Sequence, residues 1–108
     1  MARVFFALGD GTRLAVVKRL LAAGALSATA LAQDAQISRQ AIVKHLQVLE
    51  DAGLVEHERS GREVLYALDR RRIVEARAFL DAISAGWDRA LDKLKDLVES
   101  PRPRRRRR

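Results

Sequence analysis

Between Asp69 and Val98 the apolar residues Ile73, Ala76, Leu80, Ile83, Trp87, Leu91, Leu94 and Val98 follow one another at steps of three or four. That spacing predicts a single amphipathic helix with a near-heptad seam, capped by Asp69. Val74, Phe79 and Leu97 broaden the stripe. A helix of about 29 residues is roughly 43 Å long at 1.5 Å rise per residue. The rest of the chain, about 70 residues, does not need so long a helix to cover its own core. Some of this surface must therefore meet a partner, most simply the same helix of a second copy. Trp87 sits mid-seam and is either a contact across that interface or a core residue of the subunit.

Size points the same way. A chain of 108 residues is one small domain with at most an appended element, and a monomer this small is only marginally self-sufficient. The apolar fraction of 48% suffices for a core. No stretch approaches the roughly 20 apolar residues of a membrane helix, and no signal peptide precedes the folded pattern, so the cytoplasm is the expected compartment. The net charge is +7, but residues 102–108 supply six arginines, leaving residues 1–101 with only +1. Any polyanion-binding face must therefore be a local patch.

Ahead of the long helix the chain divides into short elements. Val4, Phe5 and Leu8 share one face of a first helix over residues 2–8, and Phe6 points partly elsewhere. That helix fills the core, covers a partner subunit, or does both. Asp10 or Thr12 can cap a second helix, roughly residues 12–23, with Leu14, Val17, Leu20 and Leu21 inward and Arg13, Lys18 and Arg19 toward solvent. Ser27 can cap a two-turn helix with Ala30 and Leu31 inward. Residues 33–36 form a tight corner, and Ile37 anchors it.

Residues 38–53, S-R-Q-A-I-V-K-H-L-Q-V-L-E-D-A-G, make the next helix. Ser38 caps it, Ile42, Leu46 and Leu49 give it one buried face, and Gly53 suits its left-handed end. The opposite face carries Arg39, Gln40, Lys44 and Gln47, long side chains that donate hydrogen bonds. Taken alone, this is an ordinary surface helix or one that reads a DNA major groove. Two short helices joined by about four residues, the second bearing polar side chains, match a helix-turn-helix.

Residues 54–57 read as a short strand, 60–62 as a turn and 63–68 as a second strand, with Val64, Tyr66 and Leu68 on one face. Such a hairpin is a wing, and Arg59 and Arg62 at its tip are placed for phosphates or the minor groove. The expected fold is mainly α with a small β-hairpin: a winged helix-turn-helix, dimeric through its N- and C-terminal helices. Residues 1–100 form the DNA-binding and dimerisation domain. Residues 101–108, P-R-P-R-R-R-R-R, are expected to be a disordered arginine-rich tail.

Three stretches together carry a family likeness. They are F-F-A-L-G-D-G-T-R-L-A-V-V-K-R-L at 5–20, S-R-Q-A-I-V-K-H-L-Q-V-L-E-D-A-G-L-V at 38–55 and R-S-G-R-E-V-L-Y-A-L-D at 59–69. In this order and spacing, residues 5–98 resemble the ArsR family of winged-helix transcriptional repressors. The resemblance implies a homodimer on a palindromic operator in double-stranded DNA, with first and last helices packed against their symmetry mates. Val4, Phe5, Leu8, Leu80, Ile83, Trp87, Leu91 and Leu94 are the expected interface residues. Carried over by position, Ser38, Arg39, Gln40, Val43 and Gln47 read bases, while Lys44, Arg59 and Arg62 hold phosphates. Relatives often have serine at position 43, and here Val43 can touch a thymine methyl. His45 matches the histidine of the family's K/R-H-L sequence and is expected to be a structural or backbone-contacting residue, not a metal ligand.

The departures concern sensing. Where many members carry a Cys-x-Cys pair, this chain has Ser27-Ala28-Thr29-Ala30, and residues 70–98 contain no histidine. No metal site and no cofactor are expected, and W-D-R-A-L-D-K-L-K-D-L at 87–97 resembles the family's metal-independent branch. Whether a small-molecule inducer acts on the protein stays open, as does a ligand-sized pocket lined by Phe5, Phe79 or Trp87. Rival readings are a winged-helix module that binds protein, favoured by Glu50, Asp51, Glu56 and Glu58, and RNA binding through the tail. An enzyme is not expected: the chain lacks cysteine, a phosphate-cradling glycine loop and a nucleophile–His–carboxylate set.

Overall fold

The computed structural model describes residues 1–99, so the tail expectation falls outside the described residues. The elements are α1 (Ala2–Leu8), α2 (Gly11–Ala23), β1 (Ala25–Ser27), α3 (Ala28–Ala35), α4 (Arg39–Asp51), β2 (Val55–Ser60), β3 (Glu63–Leu68) and α5 (Arg70–Glu99). Met1–Ala76 forms one compact unit, and the described residues from Arg77 to Glu99 fall in another.

In the first unit Leu20, Leu31, Ile42, Leu46, Leu49 and Leu54 are fully buried, with Val4 and Ala7 from α1 among them. Each large aliphatic side chain buried this way contributes about 1.5–3 kcal/mol. Val4 has no exposed surface, so it cannot belong to an interface with a second copy. Its helix has only two turns, and the face that Val4 and Ala7 share is used up inside the subunit. Phe5 and Leu8 are half-buried, and it is Phe6 that stands 70% exposed. In α2 the inward residues are Val16 and Leu20, whereas Leu14 and Leu21 face solvent. The 14-17-20-21 stripe and the 16-20 pair are both helical in period, and packing against neighbours chose the second.

Hydroxyl and carboxylate caps start four of the helices, the expected Asp69 among them, whose Oδ1 accepts from the Arg71 amide at 3.0 Å at the start of α5. Asp10 Oδ2 accepts from the Arg13 amide at 3.0 Å, Ser27 Oγ from Ala30 at 3.2 Å and Ser38 Oγ from Ala41 at 3.0 Å. The ends of α3 and α4 share one device. After α3, the Gln36 amide donates to Gln33 O and that of Ile37 to Ala32 O. After α4, Gly53 donates to Glu50 O and Leu54 to Leu49 O. Both are Schellman closures, which place one residue in the left-handed region. Gly53 meets this at φ 78°, but Gln36 does so at φ 58° with a side chain.

The sheet has three antiparallel strands in the order β1-β3-β2. The sequence expectation held only the hairpin; β1 adds Ala25, Leu26 and Ser27 opposite Ala67, Tyr66 and Leu65. β2 also runs three residues beyond the expected end at His57, because β3 pairs with it as far as Ser60↔Glu63. Gly61, at φ 63°, allows the two-residue reversal to Glu63.

The second unit is the remainder of α5. Leu80, Ile83, Trp87, Leu91 and Leu94 are all exposed, and Trp87 at 65% is no core residue of its own chain. No helix of the described residues is long and apolar enough to cross a membrane.

Candidate nucleic-acid interface

The short α3 and its left-handed corner at Gln36 redirect the chain into α4. Ile42, Leu46 and Leu49 lock α4 onto the core, so the opposite face is fixed in direction. Arg39, Gln40, Lys44 and Gln47 are exposed along it, and Val43 is half-buried between that face and the core. Ser38 is exposed, but its oxygen is committed to capping, which leaves its O–H as the free donor.

Arg39, Arg59 and Arg62 line one cleft together with Ser27, Thr29, Glu63, Val64 and Tyr66. The cleft therefore joins the first turn of α4 to the wing. Arg39, Gln40, Val43 and Lys44 border a second, shallower depression along α4. Among the described residues, Arg39, Lys44, Arg59 and Arg62 have no ion-pair partner, as is also true of Arg3, Lys18, Arg70, Arg89, Lys93 and Lys95 elsewhere, whereas Arg19 pairs with Asp34, Arg71 with Asp69, Arg72 with Glu75 and Arg77 with Asp81. The four are distinguished by lying together on α4 and the wing. Cations left without carboxylates on one surface suit an external polyanion. Of the acids flanking this surface, Glu50 is engaged by His57 at 2.8 Å and Asp51 by Gln47 at 2.8 Å.

Sequence reasoning missed a residue that aims α4. Arg13, expected in solvent, donates from Nε to Ala7 O at 2.8 Å and lies 3.4 Å from His45 Nδ1. Its guanidinium also sits 5.4 Å from the centre of the Phe6 ring. Asp10 completes the group, with Oδ2 3.8 Å from His45 Nδ1. The Arg13 amide bond to its carboxylate, then the Arg13 and His45 charges, hold the Asp10 carboxyl below its ordinary value of 3.8. His45 thus joins α4 to the start of α2, a structural position. A polar residue at a half-buried helix position, Arg13 three residues after its cap, was the available signal.

No three His, Cys, Asp or Glu side chains among the described residues converge to hold a metal ion. An apolar cleft of about 300 Å³ does exist, but Phe5, Phe79 and Trp87 are not in its lining. Leu20, Leu21, Ala67, Leu68, Ile73 and Val74 line it, with Arg70 at the edge.

A short helix, a left-handed corner, a donor-bearing helix and an arginine-tipped hairpin define a winged helix-turn-helix. A family model described as a helix-turn-helix domain matches residues 8–58. The HTH-type transcriptional regulator Rv2034 of Mycobacterium tuberculosis is 41% identical over 98 residues, 91% of this chain and 88% of that protein. An ArsR-like transcriptional regulator from Rhodococcus sp. RHA1 superposes with a TM-score of 0.80 at 40% identity, over 93% of each chain. The homodimeric winged helix-turn-helix DNA-binding domain of Mb0332 from Mycobacterium bovis, a 1–100 fragment, gives a TM-score of 0.63. It is 28% identical and covers 78% of this chain and 77% of its own. The chain belongs to the ArsR family of winged helix-turn-helix transcriptional regulators. It is a sequence-specific DNA-binding regulator.

Proposed function

We propose that the protein is a homodimeric repressor that occupies a palindromic operator and blocks access of polymerase to an overlapping promoter. The observation that carries this is the set of four cations without ion-pair partners, Arg39, Lys44, Arg59 and Arg62, spread over the exposed face of α4 and the wing. Two copies of α4 enter successive major grooves about 34 Å apart. Ser38, Arg39, Gln40, Val43 and Gln47 meet base edges, while Lys44, Arg59 and Arg62 hold phosphates. The second copy is brought in by α5, whose exposed Leu80, Ile83, Trp87, Leu91 and Leu94 need cover from water. The homodimeric state of the Mycobacterium bovis relative supports this assembly. Residues 101–108 add sequence-independent phosphate affinity through their arginines.

The test is binding of the Arg39→Ala/Gln40→Ala double variant to DNA from upstream of the protein's own gene and to random duplex. Loss of each base contact costs about 1–3 kcal/mol of discrimination. Specific binding should thus fall far more than random binding. Equal losses on both would place the reading elsewhere.

A further inference from the structure

Gln47 and Asp51 lie one turn apart on α4, and the Gln47 side chain donates from Nε2 to Asp51 Oδ1 at 2.8 Å. Asp51 is the last residue of α4, exposed, and has no cationic partner among the described residues. A carboxylate there is placed against the helix dipole, which favours cations at this end. It also lies at helical spacing on the same face as Gln40, Lys44 and Gln47, the face proposed to meet DNA, and borders a depression with Arg3 and Phe6. Those two costs offset the small gain of a helical i,i+4 pair, so helix stability alone does not account for Asp51.

From this pairing we infer that Asp51 is the positioning residue that sets which base Gln47 reads. This rests on the proposed operator-reading role of α4. An ionised carboxylate only accepts hydrogen bonds, so the amide end turned toward Asp51 must be Nε2, whichever way a free glutamine would lie. Held so, Gln47 has only one Nε2–H left to donate, and its carbonyl oxygen Oε1 is the end turned away from Asp51 and toward the groove. In the major groove an acceptor matches the amino groups of adenine N6 and cytosine N4 and is mismatched to guanine O6 and thymine O4. A freed glutamine can turn its amide over and serve either class. Asp51 makes Gln47 selective for amino-bearing bases without touching DNA itself.

The experiment is selection from a randomised duplex pool with the full chain as wild type, Gln47→Ala, Asp51→Ala and Asp51→Asn. Asparagine keeps an oxygen that accepts from Gln47, but its own amide can equally donate to Gln47 Oε1, so it no longer fixes which end faces the groove. Wild type should favour adenine or cytosine at one position of each half-site, and Gln47→Ala should lose that preference. Asp51→Ala and Asp51→Asn should each relax it about two- to tenfold, the worth of one ordinary hydrogen bond. The inference is overturned if Asp51→Ala or Asp51→Asn keeps the wild-type preference, or if Gln47→Ala alters no position. A wild type that selects no sequence at all would overturn the operator reading and this inference with it.

Discussion

Gln36 holds a left-handed backbone at φ 58° that glycine adopts freely. Gln36→Gly should therefore raise stability by about 0.5–1 kcal/mol, read as a higher denaturant midpoint at unchanged slope. A loss would show that the Gln36 side chain has a task the fold does not display. Asp10 gives a pH-dependent counterpart. Its folded-state carboxyl lies below the ordinary 3.8, so the unfolded chain takes up the proton first as pH falls. The stability it contributes is complete above that ordinary value and disappears as pH drops through the folded value. Asp10→Asn keeps a capping oxygen and removes the charge. The stability gap between wild type and this variant should be constant near neutrality and close below pH 3.8; a gap that widens there would contradict the assignment. Caps such as Ser27 and Ser38 were legible because a local hydroxyl–amide bond depends on a few adjacent residues. Arg13 was not, because its partners Ala7 and His45 come from two other elements.

Elements with strong period were legible, and weak ones were not. The buried triplet Ile42, Leu46 and Leu49 of α4 follows directly from its spacing. In contrast, β1 has three residues, too few to show alternation, and exists because β3 offers it a free edge. The polar run Glu56, His57, Glu58 and Arg59 hides the length of β2 for the same reason: pairing with β3 extends it, not its own pattern. The wing is also the element on which phosphate affinity should depend. Arg59→Ala/Arg62→Ala should weaken binding to all duplexes alike and reduce the salt dependence by about one counterion per lost contact. A change in preferred sequence instead would assign the wing a base-reading role.

At the scale of the whole molecule, the proposed assembly rests on the exposed apolar face of α5. Its seam was legible from Asp69 to Val98 because a regular apolar repeat is visible without knowing what covers it. The matching expectation for α1 failed at Val4, since a two-turn helix has too little surface to show from sequence which residues its own core takes. Trp87→Asp would place a charge on the exposed seam. It should shift the protein to monomer in sedimentation while leaving the Met1–Ala76 unit folded, and operator affinity should fall with the lost second half-site. An unchanged dimer would move the interface away from α5. Removing residues 101–108 should flatten the salt dependence and leave sequence preference intact, because a run of arginines binds charge and not bases.

Protection of guanine N7 from methylation on a selected operator tests the central claim most directly, since it reports major-groove occupancy base by base. One dimer reading with two α4 helices predicts two symmetric protected patches centred about 10–10.5 base pairs apart, or a multiple of that. Both should vanish together in Arg39→Ala/Gln40→Ala. A single protected patch at saturation, or two that persist in that variant, would contradict it.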